Sequence, residues 1–185
     1  MTPAGLFIEN LFALGATGFL LVLFIGLCVG SFLNVVVYRF PIMLNRDWTE
    51  FAKQHLADPP VAVPGKDDEP FNLAVPRSRC PSCNNLISAW QNIPVVSWLL
   101  LRGRCKHCAN PISARNPSVE LLTRVLSVAV VGTCGFTLLG LAALIFTWVL
   151  LAATFIDFDT QLLPDQLTLP LVWLGLLVNM TDGGI

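Results

Sequence analysis

Charge is what this sequence has least of. Only 12% of its 185 residues are charged, against about 25% in an ordinary soluble domain. No Lys or Arg precedes Arg39 and none follows Arg124, while the stretch 125–156 carries no charge of either sign. That scarcity excludes a soluble globular domain. No internal repeat is evident, and no glycine-rich loop of Rossmann type offers a nucleotide site. Nucleic acid is not expected among the partners.

What fills the chain is apolar, at 55% hydrophobic residues. The run 11–37 is long enough to cross about 30 Å of hydrocarbon at about 1.5 Å per residue. It is too long for a signal-peptide core and reads as a first transmembrane helix. The stretch after Arg124 exceeds one span, with Gly132, Thr133, Cys134 and Gly135 as turn residues near its middle. The expectation is therefore a second helix over 118–134 and a third over 135–156, with a fourth from after Pro164 to about Met180. Because every basic residue lies between Arg39 and Arg124, the positive-inside rule puts that segment in the cytoplasm and the N-terminus outside.

The fold class expected is an all-α polytopic membrane protein with a small cytoplasmic zinc-binding insert built on four cysteines. Its parts are 1–38, the first transmembrane helix; 39–117, the cytoplasmic domain; and 118–185, helices two to four. Within the insert, Asp47-Trp-Thr-Glu50 resembles a capping box. Trp48, Phe51, Ala52 and Leu56 then recur at helical spacing, so a short amphipathic helix is expected there. His55 on it reads as a surface residue. The stretch 58–76, with its prolines and the Asp67-Asp68-Glu69 cluster, reads as an irregular loop.

Cys80, Cys83, Cys105 and Cys108 form two Cys-x-x-Cys pairs inside this polar insert. Each pair puts two sulfurs on one side of a tight turn, and two turns supply the tetrahedral set that Zn²⁺ prefers. Two disulfides or four unrelated thiols are the other readings, and a cytoplasmic placement disfavours oxidation. Arg77, Arg79, Arg102, Arg104 and Lys106 lie beside the pairs, where cations favour thiolates. A closed set of four thiolates has no open coordination position, so the metal's expected role is structural. His107 sits in the second turn and reads as solvent-facing, while Cys28 and Cys134 read as packing residues.

Three carboxylates, Asp157, Asp159 and Asp165, cluster where the third helix ends. Ionisable groups at the end of an apolar helix are costly to desolvate and mark either a site or a helix end meeting water. Flanked by Phe155, Phe158, Leu162 and Leu163, such a carboxyl could hold or take a proton near neutral pH. Aspartic-protease chemistry needs two carboxyls sharing a proton across one water. Asp157 and Asp159 do not suit that pairing, because positions i and i+2 lie about 200° apart around a helix.

At this point the chain resembles the type IV prepilin peptidases, bifunctional leader peptidase/N-methyltransferases of bacterial inner membranes. The resemblance covers nearly the whole chain. They include Gly30-Ser-Phe-Leu-Asn34, Arg79-Cys-Pro-Ser-Cys83, Leu101-Arg-Gly-Arg-Cys105, Ser118-Val-Glu-Leu-Leu122 and Ile156-Asp-Phe-Asp-Thr-Gln-Leu-Leu-Pro-Asp165. The resemblance implies an aspartic endopeptidase that removes the basic leader of prepilins and pseudopilins, before a residue that is usually Phe. It also implies N-methylation of the new terminus from S-adenosylmethionine. Carried over, Asp157 matches the first catalytic aspartate, and Asp159 and Asp165 match supporting acidic positions. The four cysteines match the zinc ligands, and Gly103 is a candidate for methyl transfer or simply a turn residue. The family's second aspartate sits in a Gly-x-Gly-Asp motif that these residues do not contain, since Asp182 precedes its glycines. The chain is therefore expected to be the N-terminal portion of a longer enzyme. A non-enzymatic membrane adaptor or an inactive truncation is the alternative.

Overall fold

The computed structural model describes residues 3–56, 71–80, 82–87 and 94–181. Five helices account for most of it: α1 (Pro3–Leu56), α2 (Pro94–Leu100), α3 (Arg115–Cys134), α4 (Leu138–Thr160) and α5 (Asp165–Thr181). No strand forms among the described residues, only two isolated bridges, Arg79 with Leu86 and Arg104 with Pro111. The Asp67-Asp68-Glu69 cluster and Asp182 lie outside the described residues.

Three of the described helices are long and apolar enough to cross a membrane: α1 over Phe12–His55, α3 and α4. The fourth expected helix is present as α5, but at 17 residues it is not among the described helices long and apolar enough to cross a membrane. Both turns fall where glycine and proline put them. α3 ends on Gly135 at φ 65°, and α4 ends on Gln161 in the left-handed conformation ahead of Pro164. The side chain of Thr137 caps α4 by accepting from the Gly140 N–H at 3.0 Å, the expected use of a threonine at that position.

One local expectation is replaced. α1 is a single run of 54 residues, broken only at Gly15 (φ 62°, ψ 176°). The segment expected as a separate amphipathic helix is its continuation. Pro41 removes one helical hydrogen bond without ending the helix. With helix already present upstream, Asp47 caps nothing, and the Thr49 hydroxyl instead donates back to the Asn45 carbonyl at 2.7 Å. Trp48, Phe51 and His55 are exposed on this extension, and the Phe51 and His55 rings pack 4.3 Å apart.

The core forms where α1, α3 and α4 meet. Leu33, Val36, Val37, Val119, Leu151, Ala152 and Ile156 are buried together, and Val22, Val131 and Leu144 make a second cluster further along. Lipid tails are as apolar as leucine, so helices in a membrane gain most from close van der Waals approach of small residues. α1 meets α3 in that way. A Cβ placed on Gly30 would lie 2.8 Å from the Glu120 Cα, and one on Gly26 would lie 3.1 Å from the Arg124 Cα. Thr123 and Ser127, both buried, return their hydroxyls to the Val119 and Thr123 carbonyls at 2.7 Å each. Ser127 also accepts from the Trp148 indole at 2.9 Å, joining α3 to α4.

Backbone on the far side of Gly30 cannot yield as a flexible side chain would. Gly30→Val is therefore expected to force α1 and α3 apart and to destabilise the bundle by about 1–3 kcal/mol. Unfolding of the purified variant in mixed detergent checks this, with Gly175→Val, where a Cβ meets nothing within 4 Å, as the control.

Candidate metal centre and acidic helix end

The Cys-x-x-Cys pairs sit on two arms of one design. Residues 78–87 read Ser-Arg-Cys-Pro-Ser-Cys-Asn-Asn-Leu-Ile, and 103–112 read Gly-Arg-Cys-Lys-His-Cys-Ala-Asn-Pro-Ile. The backbone repeats with them. The Cys80 N–H donates to the Asn85 carbonyl at 3.0 Å and the Cys105 N–H to the Asn110 carbonyl at 2.9 Å. Ile87 likewise donates to Ser78 at 2.9 Å, and Ile112 to Gly103 at 2.7 Å. Asn84 (φ 58°) and Ala109 (φ 56°) take the same left-handed conformation just after the second cysteine of each arm. This short repeat is absent from the sequence reading, because only the Arg-Cys-x-x-Cys frame, one Asn and the closing Ile are shared. The Asn110 amide, donating to the Ser82 hydroxyl, ties one arm to the other.

The arms bring all four sulfurs within 4.8 Å of one another. Cys80 lies 3.9 Å from Cys108, and Cys83 lies 4.0 Å from Cys105. A tetrahedral ion with Zn–S bonds of about 2.3 Å spaces its sulfurs at roughly 3.8 Å, whereas a disulfide holds them at about 2.05 Å. The donor set therefore fits a closed tetrathiolate metal and not two disulfides. Among the described residues it is the one such convergence of three or more ligating side chains.

Backbone amides prepare the sulfurs for the charged state. N–H groups of Cys83 and Ser82 point at the Cys80 sulfur and lower its pKa to about 6. Those of Cys108 and His107 lower Cys105 in the same way. Cys108 receives an N–H from Asn110, but burial and the neighbouring thiols outweigh it and push it up to about 11. Metal capture at neutral pH must therefore displace a proton from Cys108, whereas Cys80 is already largely a thiolate. His107 is exposed. Of the remaining cysteines, Cys134 is half-buried, and Cys28 is exposed on α1 rather than packed.

Gly103 opens the second arm at φ 68°. Its N–H donates to the Trp98 carbonyl at 2.8 Å. A Cβ there would meet the Trp98 ring at 3.0 Å, and the Trp98 indole donates to the Ile112 carbonyl at 3.3 Å. The arm is thus seated on α2. Then α2 is held to the bundle by Glu120, whose carboxylate accepts the Val95 N–H at 2.6 Å. Glu120 has no exposed surface, and Arg124 approaches it at 3.4 Å.

Arg39 makes a second attachment. It is buried, at 8% exposure, and donates to the Asn72 carbonyl at 2.8 Å and the Pro76 carbonyl at 2.5 Å. The Phe71 ring centroid lies 5.8 Å from the Arg39 guanidinium and 4.4 Å from that of Arg46. Sequence reasoning passed over both Glu120 and Arg39. An acid inside an apolar helix was the available signal for the first.

The three aspartates do not converge. Asp157 and Asp159 belong to the last turn of α4, and Asp165 is the first residue of α5. Asp159 pairs with Arg115 of α3 at 2.5 Å, and Arg115 also lies 5.9 Å from the Phe155 ring. Asp157, about 200° around the helix, is exposed and makes no ion pair among the described residues. Asp165 acts at a helix N-terminus, where a carboxylate is favoured. It also lines a cavity of about 580 Å³ shared with Leu44, Trp48, Leu163, Leu169 and Pro170.

Residues 24–134 match the bacterial peptidase A24 N-terminal domain, and residues 144–185 match the type IV leader peptidase family. The prepilin leader peptidase/N-methyltransferase of Aeromonas hydrophila is 57% identical over 166 residues, covering 89% of this chain and 56% of that protein. That of Neisseria gonorrhoeae is 55% identical, covering 86% and 54%, and that of Legionella pneumophila is 46% identical, covering 87% and 55%. The chain thus spans about half the length of the curated relatives it matches. No solved structure shows a significant match.

The geometry predicts one tightly held zinc per chain by elemental analysis. Cys83→Ser should lose it, and capture should weaken steeply as pH falls through about 6, where Cys80 takes up its proton. Glu120→Ala should cost about 1–3 kcal/mol, because it takes the acceptor from the part-buried Val95 N–H and the ion-pair partner from Arg124. Loosening of 94–112 in hydrogen exchange would report it.

Proposed function

The chain belongs to the type IV leader peptidase family, and we propose on that premise that it carries the metal arm and the first catalytic carboxylate of a membrane prepilin-processing enzyme. The substrates proposed are prepilins and pseudopilins with basic leaders, met at the cytoplasmic face of the bacterial inner membrane. The observation that carries the reading is the division of labour at the end of α4. Asp159 is engaged by Arg115, while Asp157 faces open space with its carboxylate uncommitted.

In the proposed chemistry, Asp157 and a second carboxyl on another helix share one proton across a water. One takes a proton from the water as it attacks the scissile carbonyl, while the other gives its proton to the carbonyl oxygen. On collapse the first passes its proton to the leaving amine, and the second recovers one from the diol hydroxyl. Asp159 is assigned to orientation: its bond to Arg115 fixes the last turn of α4 and so the direction of Asp157. At 36% and 29% side-chain exposure, that pair is worth no more than about 1 kcal/mol in stability. Its value is positional. The apolar cavity beside Asp165 begins five residues after Asp157 in sequence. It offers room for an apolar side chain such as the Phe after the cleavage point.

Cys80, Cys83, Cys105 and Cys108 would hold the zinc, which when bound would clamp the two arms and supply no reacting group. N-methylation from S-adenosylmethionine is proposed for the whole enzyme. The surroundings of Gly103 do not fit that cofactor, since the Trp98 ring fills the space beside it and its N–H and carbonyl are already bonded. We therefore assign Gly103 to the seating of the arm, and derive no step through the cofactor.

The test is cleavage of a prepilin by the full-length protein in detergent. Asp157→Asn should abolish cleavage while zinc content stays full. Asp159→Asn and Arg115→Gln should each retain activity reduced by about 10-fold to 100-fold, the scale of a misplaced but intact catalytic group. Normal cleavage by Asp157→Asn would remove Asp157 from the mechanism.

A further inference from the structure

The surface of the metal arms carries an arrangement that cleavage does not use. Arg77, Arg79, Arg102, Arg104 and Lys106 are all exposed, and none is ion-paired among the described residues. Zinc tetrathiolate would set two negative charges against these five cations, so the surface stays cationic. Beside them, Leu99 and Leu100 are 65% and 78% exposed among the described residues, at the end of α2. A tight turn joins the two features, since the Arg102 N–H bonds the Leu99 carbonyl at 3.3 Å and the Arg104 N–H the Leu101 carbonyl at 3.1 Å.

Position identifies what covers this surface. Val95, at the start of α2, is bonded to Glu120 of the membrane-capable α3. A seven-residue helix is about 10 Å long, so Leu99 and Leu100 lie within about that distance of a membrane-spanning element. Exposed leucines interleaved with arginines at a bilayer edge suit the headgroup boundary, with apolar side chains dipping in and cations facing phosphate. A basic leader peptide has the wrong sign for this surface. A lipid surface of negative charge has the right one.

We propose that the turn 99–104 and the flanking cations dock the metal arms onto the surface of an anionic phospholipid bilayer, as a second membrane contact beside the spanning helices. It holds whether or not the chain serves in proteolysis.

The test is hydrogen exchange of the full-length, zinc-loaded protein in nanodiscs of phosphatidylcholine alone or with one part in three phosphatidylglycerol. In the anionic discs at low salt, amides 97–106 should exchange about tenfold more slowly, and 1 M salt should remove most of that difference. Arg102→Gln with Arg104→Gln should remove it with zinc content unchanged, and Leu99→Ser with Leu100→Ser should do the same without altering charge. Equal exchange in the two lipids would overturn the proposal. So would protection that is equal in both and indifferent to salt, which would mean that protein covers the turn.

Discussion

The link between the second cysteine arm and the helices rests on one buried carboxylate under one glycine. Glu120 can sit at the α1–α3 contact because Gly30 leaves room for its backbone, and there it accepts the N–H of Val95. The cost of burying a charge in an apolar helix is offset by this bond and by the nearby Arg124. What results is a joint between the membrane-capable helices and the insert that carries the four cysteines. From that joint the order runs outward: Glu120 holds the start of α2, Trp98 on α2 seats Gly103, Gly103 opens the second arm, and the arm presents its two sulfurs to the first.

The same bundle sets the acidic helix end. α3 delivers Arg115 to Asp159, and α4 is itself locked to α3 through Trp148 and Ser127. The insert and the carboxylates are therefore both tied to one short segment, residues 115–127 of α3.

Much of this was legible beforehand, and the limits have physical reasons. The helices after Arg124 were readable because charge stops there and glycine and proline mark the turns. The cysteine set was readable because Cys-x-x-Cys is a local geometry. The continuous α1 was not, since a proline followed by a capping-like sequence is a local signal for a boundary, and helix already present upstream overrode it. The arm repeat lay in φ angles at Asn84 and Ala109 and in bonds shared by unlike side chains. Glu120 was quoted within a family string, yet its role needed the third dimension, because its partner Val95 is 25 positions away. The assignment of Asp159 to Arg115 was hidden for the same reason.

The central claim is that the reacting peptide bond meets the end of α4 at Asp157. The most direct measurement is photocrosslinking with a prepilin that carries benzoylphenylalanine at the residue after the leader, captured by the full-length Asp157→Asn protein and mapped by mass spectrometry. The account predicts adducts on residues 155–163 and on the walls of the neighbouring cavity, such as Leu44 and Trp48. Adducts confined to the metal arms, with none at the end of α4, would contradict it.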